Sequence, residues 1–540
     1  MVGQLCRPDA YRYEVDSEIV VHETHISWVI LAGEFAHKIK KPIKTPFLDY
    51  STLKQRKFFC HEEIRLDSRF SDGLYLGVVA ISFDGERFHV EESQSSCDPI
   101  VDYAVKMRRF PADALLSQQL KNGAMTNDDV LTLAAKIASF HDSAEICRVS
   151  AARRLATEQV ESHRGESATS PQSSAITYGT ANQLYQDAID NLRALESIQD
   201  PQIAATVQKL ADWSQDFYSQ HTNLFQQRLA NGFIRECHGD LHLDNIVRFR
   251  ESLTPFDGIE FCDSFRWIDT LSDSAFLTMD LAAHGYLEQS RIFINAYLEQ
   301  SGDYNALSVL RWYLVYRALV RAKIATIRSQ QLVQSADFSQ AMSDSKSYID
   351  LAHQYTLAGE PRLWITHGVS GSGKSTQSAL VVQRCGAIRL RSDVQRKRHY
   401  GMSPMERPGN RERPDKTAQT ILYSQSATDA TYQRLADLAR SILHAGFSVI
   451  VDATFLRRDL RERFRQLAVS QRVEFGIVDC DVNETTLRQR ITDRAARNDD
   501  PSDADLQVME LQLATRERLV ESEHKFVIKI PDLVSTIQSL

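Results

Sequence analysis

The sequence predicts an α+β region with two lobes, followed by an α/β domain built on a parallel sheet. Three observations predict it. Residues 1–110 are rich in strand patterns, and the stretch after them is mostly helical. Beyond Gly359-Glu360-Pro361, apolar strand patterns alternate with helical ones, which is the signature of a parallel sheet covered by helices. The first strand after that break runs into Gly368-Val369-Ser370-Gly371-Ser372-Gly373-Lys374-Ser375-Thr376, which fits G-x-x-x-x-G-K-[ST] without a mismatch.

Length and composition bound the possibilities. A chain of 540 residues exceeds one ordinary domain, so two or three are expected. With 43% hydrophobic and 25% charged residues it reads as a globular protein. A net charge of −8 argues against a broad nucleic-acid-binding surface, while leaving room for a local basic pocket. The first residues, Met1 to Pro8, lack the apolar core of a signal peptide, and no run of ~18 apolar residues predicts a membrane span. The eight cysteines are scattered without a C-x-x-C pair, so reduced thiols and a cytoplasmic location are expected. Cys237 and Cys262 flank candidate catalytic segments and read as structural thiols.

Taken in chain order, Phe35-Ala36-His37-Lys38-Ile39-Lys40-Lys41 is a strand that puts Lys38 and Lys40 on one face. Arg56–Leu66 is helical and carries Glu62 and Glu63. The polar stretch Glu161–Ser174 reads as a surface loop. From Leu307 to about Tyr355 the helical pattern is almost unbroken, with Trp312, Val315, Tyr316, Leu319 and Ile324 at helical spacing. Gly359-Glu360-Pro361 ends it, so the domains are drawn as 1–355 and 361–540. Strands are then expected at Arg362–His367, Ala387–Leu390, Ser448–Asp452, Glu474–Val478 and Lys525–Ile530. The main helices between them are Ala418–Ala445 and Arg457–Ala468.

Each residue of the glycine-rich motif has a physical task. Backbone N–H groups of Gly368, Val369, Ser370, Gly371, Ser372, Gly373 and Thr376 can curl around an anionic phosphate chain. Lys374 reaches its β- and γ-phosphates, and the Ser375 hydroxyl faces Mg2+. The dipole of the helix that follows adds to the site. Asp452 ends an apolar strand and is placed to support the metal, without the adjacent Glu that many ATPases use to activate water. Asp393 follows the second strand, where ligands of open parallel sheets sit, and can orient an acceptor hydroxyl; a helix cap is the plainer reading. Arg490, Arg494 and Arg497 recur at helical spacing ahead of Asn498–Asp503 and suggest an arginine lid over the phosphates. The basic run Arg389, Arg391, Arg396, Lys397 and Arg398 could grip an anionic acceptor, but a solvated face is the safer reading.

A second constellation is His238-Gly239-Asp240-Leu241-His242-Leu243-Asp244-Asn245. An Asp followed five residues later by Asn is the spacing of a protein-kinase catalytic loop. With Pro255-Phe256-Asp257-Gly258-Ile259-Glu260-Phe261 it resembles the aminoglycoside phosphotransferase and choline kinase family over roughly residues 20–330. That resemblance implies a protein-kinase-like fold, with Asp240 as catalytic base and Asn245 as a magnesium ligand. It also implies a second carboxylate ligand, Glu260 or Asp257, with Glu260 favoured because Asp269 and Asp273 then fall near the family spacing. It further implies a phosphate-binding lysine, Lys38 in preference to Lys40, paired with Glu63, and a hinge at Tyr103–Met107. The chain departs from the pattern before Lys38, where Thr24–Val29 holds no glycine-rich loop.

The second half resembles the P-loop kinases typified by gluconate kinase, polynucleotide 5′-kinase and zeta toxins, over about residues 361–540. The whole arrangement looks like a bacterial family of fused two-kinase proteins. What the resemblance implies is an ATP- and Mg2+-dependent phosphotransferase with two kinase-like modules acting on small hydroxylated acceptors such as sugars or amino sugars. The alternatives are a nucleotide-gated regulatory protein with one inactive module, and a polynucleotide 5′-kinase.

Overall fold

The computed structural model describes residues 1–15, 18–70, 73–91, 98–147, 178–331, 337–404, 406, 424–497 and 504–528, the side chains of 91 and 494–497 excepted. The expected loop Glu161–Ser174, the segment Asn498–Asp503, the side chains of Arg494 and Arg497, and the start of the helix expected from Ala418 lie outside the described residues. The chain divides into two compact units. One comprises Met1–Ala283 and Trp312–Ala352, the other His284–Arg311 and His353–Leu540. The segment His284–Arg311, which lies before the break at Gly359–Pro361, thus groups with the second unit.

The first unit opens with an antiparallel sheet made from β1 (Val20–Glu23), β2 (Ser27–Ala32), β3 (Phe35–Lys40), β4 (Tyr75–Phe83), β5 (Phe88–Glu91) and β6 (Ile100–Arg108). Its strand order is β1-β2-β3-β6-β4-β5. Strand alternation sorts β3 into two faces. Ile39 packs with Leu5, Ile30 and Ala104, while Ala36 packs with Cys60, Leu74 and Val105 beneath helix α1 (Leu53–Asp67). That helix starts with a capping box, in which Thr52 and Gln55 satisfy each other's free N–H groups. The expected hinge Tyr103–Met107 is instead the body of β6, bonded on both sides by β3 and β4.

The rest of this unit is helical: α2 (Asn127–Ser143), α3 (Ala181–Leu195), α4 (Pro201–Ala230) and α5 (Thr270–Ala283). Short strands β7 (Ile234–Glu236), β8 (Ile246–Phe249), β9 (Ser252–Pro255) and β10 (Trp267–Asp269) frame the His238–Asn245 segment, with β8 pairing β9 and β7 pairing β10. Helix α6 (Leu287–Ser301) belongs to the second unit. Helices α7 (Leu307–Gln331) and α8 (Phe338–Thr356) account for the long helical pattern. Trp312 on α7 is buried against Phe217 and Phe225 of α4.

The second unit holds the expected parallel sheet, with β11 (Arg362–His367), β12 (Ile388–Arg391), β13 (Val449–Asp452) and β14 (Glu474–Asp479) in the order β12-β13-β11-β14. The last expected strand, Lys525–Ile530, is reduced among the described residues to one parallel bridge, Val527 to Ile477. Helices α9 (Lys374–Cys385), α10 (Ser392–His399), α11 (Gln425–His444), α12 (Arg458–Gln471), α13 (Glu484–Arg497) and α14 (Leu506–Thr515) surround it. Among the described residues no helix is long and apolar enough to cross a membrane.

Strand β12 is an edge, and an open edge is a template for unwanted pairing. Helix α6 covers it. Asn295 Oδ1 accepts from Arg389 N at 2.8 Å, and its Nδ2 donates to Ala387 O at 3.1 Å. One side-chain amide thereby replaces a neighbouring strand. Truncation would leave both backbone groups unpaired, so Asn295→Ala is expected to lower unfolding stability by about 2 kcal/mol. Urea denaturation of the full chain, followed by tryptophan fluorescence, measures it.

Candidate active sites

In the first unit, the two lysines of β3 are not solvated surface charges. Lys38 is 8% exposed and Lys40 0%, and both reach Glu63 on α1, itself fully buried. Lys38 Nζ donates to Glu63 Oε1 at 3.0 Å and Lys40 Nζ to Glu63 Oε2 at 2.7 Å. Glu62, by contrast, faces out and pairs with Arg65. Lys38 also bonds Asp257, and Lys40 bonds Glu260, which in turn accepts from the Tyr50 hydroxyl. Burial opposes the charge on Lys38, but Asp257 and Glu63 outweigh it and hold its pKa well above the usual lysine value. Burial likewise opposes the Glu63 carboxylate, and the two lysines keep it ionised.

The two carboxylates left open as second metal ligand are placed differently. Glu260 is 3% exposed and occupied by Lys40 and Tyr50. The Asp257 side chain is 42% exposed and pairs with Lys38. Asp257 adopts φ 61°, and its neighbours tie it to the His238 segment: His238 Nε2 is 2.9 Å from Phe256 O, and Ile259 N donates to His238 O at 3.0 Å.

The His238–Asn245 loop is held from below by one carboxylate. Asp273 on α5 accepts from His238 N at 3.1 Å, Gly239 N at 3.0 Å and His141 Nε2 at 3.1 Å. Gly239 is required there: φ is 86°, and a Cβ would lie 2.7 Å from Phe265 O. Arg317 Nη1 fixes Gly239 O at 3.0 Å. Asp269 performs a structural task with Arg228 and Tyr313. Asn245 Nδ2 donates at 3.0 Å to both the backbone O and Oδ2 of Asp240, which leaves its Oδ1 as an acceptor for a cation. Burial tends to raise the Asp240 pKa, but His242, 3.3 Å away, and His238 pull it below the carboxylate range. Asp240 is therefore ionised at neutral pH. His238, whose pKa burial lowers, bonds within the loop, its ring near Phe256 O and its Nδ1 accepting from Asp240 N at 3.3 Å. Where a glycine-rich loop would lie, β1 and β2 close in a tight turn, with Ser27 N donating to Thr24 Oγ1 at 2.9 Å. Cys237 is a buried thiol pushed well above its ordinary pKa by burial; Cys262 is partly exposed beside Ser264. The described cysteines form no disulfide.

In the second unit, Gly368–Thr376 joins β11 to α9 and lines a cleft of about 1700 Å³ that also contains Asp393, Asp452 and Arg490. Gly368 has φ 147°, and a Cβ there would come within 2.6 Å of both Cys480 O and Ser372 Oγ. Lys374 Nζ donates to Val369 O at 2.8 Å, inside the loop. Asp452 accepts from Ser378 Oγ at 3.0 Å, one turn beyond Ser375. Asp393 is the second residue of α10 and not its cap, which is Arg391, so the cap reading does not account for it. Arg490 Nη1 reaches Gly371 O at 3.4 Å.

The basic run is not a solvated face. Lys397 is 1% exposed, and Arg389 and Arg391 both approach Glu299 of α6 at 3.5 Å. Arg398 Nη2 caps the end of that helix through Glu299 O at 2.6 Å. Arg391 and Arg396 still line the cleft beside Asp393. Two contacts carry no local sequence signal: His367 Nδ1 to Asp479 Oδ1 at 2.7 Å, and Ser370 N to Gln512 Oε1 at 2.7 Å.

Residues 363–519 match the model of the AAA domain family and carry a phosphate-loop domain of that type. Rv2004c of Mycobacterium tuberculosis and Mb2027c of Mycobacterium bovis are each 29% identical to this chain over 495 residues, 91% of this chain and 89% of theirs. Among solved structures, a Plasmodium vivax ethanolamine kinase aligns with 64% of this chain and 85% of its own, at 12% identity and TM-score 0.36. A gluconokinase from Sinorhizobium meliloti 1021 aligns with 32% and 88%, at 19% identity and TM-score 0.23.

One buried acid of the first unit gives a pH-dependent expectation. Asp67 Oδ1 accepts from Gly258 N at 2.9 Å, and among the described residues Oδ2 has no hydrogen-bond partner. Burial, and then the Glu63 charge, raise its pKa well above the usual value. The folded protein therefore holds this proton more tightly than the unfolded chain does. Its stabilisation is complete below the ordinary carboxylate pKa of about 4 and is lost as pH rises through the raised value. Asp67→Asn keeps the acceptor and removes the charge. Compared by urea unfolding, the variant should match the parent near pH 4 and exceed it by about 1–2 kcal/mol at pH 8.

Proposed function

We propose that the chain is an ATP-dependent phosphotransferase with two phosphate-handling sites and small hydroxylated acceptors. The observation that carries the reading is the convergence of the phosphate loop, Asp393, Asp452 and Arg490 on one cleft. There the loop amides and Lys374 bind the triphosphate, Lys374 exchanging its bond to Val369 O for the β- and γ-phosphates. Asp393 accepts the proton of the acceptor hydroxyl as its oxygen bonds the γ-phosphorus and the bond to the β–γ bridging oxygen breaks. Arg490 stabilises the charge that moves. Ser375 and Asp452 are hard oxygen donors that fit Mg2+, which when bound neutralises phosphate charge. In the first unit Asp240 orients the acceptor hydroxyl, Lys38 takes phosphate, and Asn245 with Asp257 would hold the metal. Asp257 is preferred to Glu260 because its carboxylate is the accessible one.

The tight Thr24–Ser27 turn favours a second reading for the first unit alone: a nucleotide-binding module without turnover. A polynucleotide acceptor is less well supported, because Arg389 and Arg398 of the basic run are engaged by α6.

Transfer from γ-labelled ATP to a metabolite library, with the full chain, tests these assignments. Lys374→Ala should lower transfer about a hundredfold or more at the second site, and Asp240→Ala should abolish transfer to any acceptor served by the first. If neither change alters transfer to any acceptor, the phosphotransferase reading fails; if only Asp240→Ala is silent, the first unit is a sensor. Asp257→Asn should weaken Mg2+-dependent nucleotide binding and lower stability by about 1 kcal/mol, since its partly exposed carboxylate is one of the two partners of buried Lys38. Glu260→Gln should instead destabilise the fold by about 3 kcal/mol, since it weakens the pairing of a buried lysine.

A further inference from the structure

We infer that Gln512 is a γ-phosphate contact of the second site, donating its carboxamide N–H to the transferring group. The inference rests on the nucleotide reading of the phosphate loop. Helix α14 is docked on that loop by an apolar patch: Met509, fully buried, packs with Val369, Leu487 and Ile491. Three residues further on, Gln512 projects into the cleft that the loop lines. Its Oε1 accepts from Ser370 N at 2.7 Å.

That single bond determines what the side chain offers. A carboxamide has one accepting and one donating end, and the reverse orientation would set two donors against each other. With Oε1 committed to Ser370, the Nε2–H2 group is the end presented to the cleft, and among the described residues no protein atom accepts from it. Ser370 precedes Gly371, whose carbonyl Arg490 reaches, and Lys374 returns to Val369 O on the other side. The amide is therefore a neutral donor that lines the same cleft as the cationic side chains of Lys374 and Arg490. A group with negative charge and several acceptor oxygens fits there, and the terminal phosphate, which Lys374 is assigned to reach, is the part of the nucleotide with the most unshared oxygens and charge.

The role separates from a structural one by comparing two nucleotides. Full-length protein is titrated calorimetrically with ADP and with the non-hydrolysable β,γ-imido analogue of ATP. Gln512→Glu retains an acceptor for Ser370 N but replaces the donor with a negative charge. Gln512→Met retains bulk and apolar packing while losing both polar ends. Affinity for the ATP analogue should fall on the order of tenfold or more in both variants, the loss of at least one charge-assisted hydrogen bond, with ADP affinity held within about twofold. Equal losses for both nucleotides would reduce Gln512 to a prop for the loop, and unchanged affinity for both would remove it from the site; either result overturns the inference. If the parent protein binds neither nucleotide, it is the phosphate-loop reading that fails.

Discussion

Glu63 is shared by two buried lysines, and the first unit is arranged around that sharing. A single carboxylate cannot compensate two ammonium groups taken out of water, because each desolvated charge costs several kcal/mol. The deficit is met from elsewhere in the chain, by Asp257 on Lys38 and Glu260 with Tyr50 on Lys40. These partners hold the segment after β9 against β3 and α1. The same segment is bonded to His238, so the strand with the lysines and the loop with Asp240 are positioned by one connected set of charges. Asp273 repeats the logic one layer deeper, where three N–H donors converge on one buried carboxylate.

The second unit solves the corresponding problem with backbone and not with paired charges. Its phosphate loop turns on glycines held at positive φ, and Asp393 and Asp452 stand near the carboxyl ends of parallel strands. Asp452 is nearly buried yet is bonded by a neutral hydroxyl, Ser378. Among the described residues no cation forms an ion pair with it. That is the expected condition of a carboxylate whose counter-charge is a metal and not a lysine.

What the sequence disclosed follows the reach of each interaction. Gly368–Thr376 and His238–Asn245 were legible because all their parts are contiguous and each part has a separate chemical task. Lys38 and Glu63 were legible through the family resemblance, since strand alternation puts Lys38 and Lys40 on one face without choosing between them. Glu260 was ranked above Asp257 from spacing alone, and spacing does not reveal that Lys40, 220 residues away, takes it up. The basic run read as solvated because its acidic partner, Glu299, lies 90 residues upstream on a helix with no motif. Gln512 stands 142 residues from the amide it meets, and nothing in its neighbourhood distinguishes it from any helical glutamine. The parallel sheet was foreseen strand by strand, except near residue 527, where the described residues make a single bridge.

The cover that Asn295 and α6 provide for β12 bears on how such a chain can be cut and recombined. The break at Gly359–Pro361 invites treatment of the two halves as interchangeable cassettes. Yet the piece that seals the edge of the second sheet is encoded ahead of that break, within the first half. It is also translated first, so the cover exists before the strand it protects leaves the ribosome. A crossover at the obvious seam would deliver a phosphate-loop module with a raw, self-associating flank, and solubility would be lost before any question of activity arose.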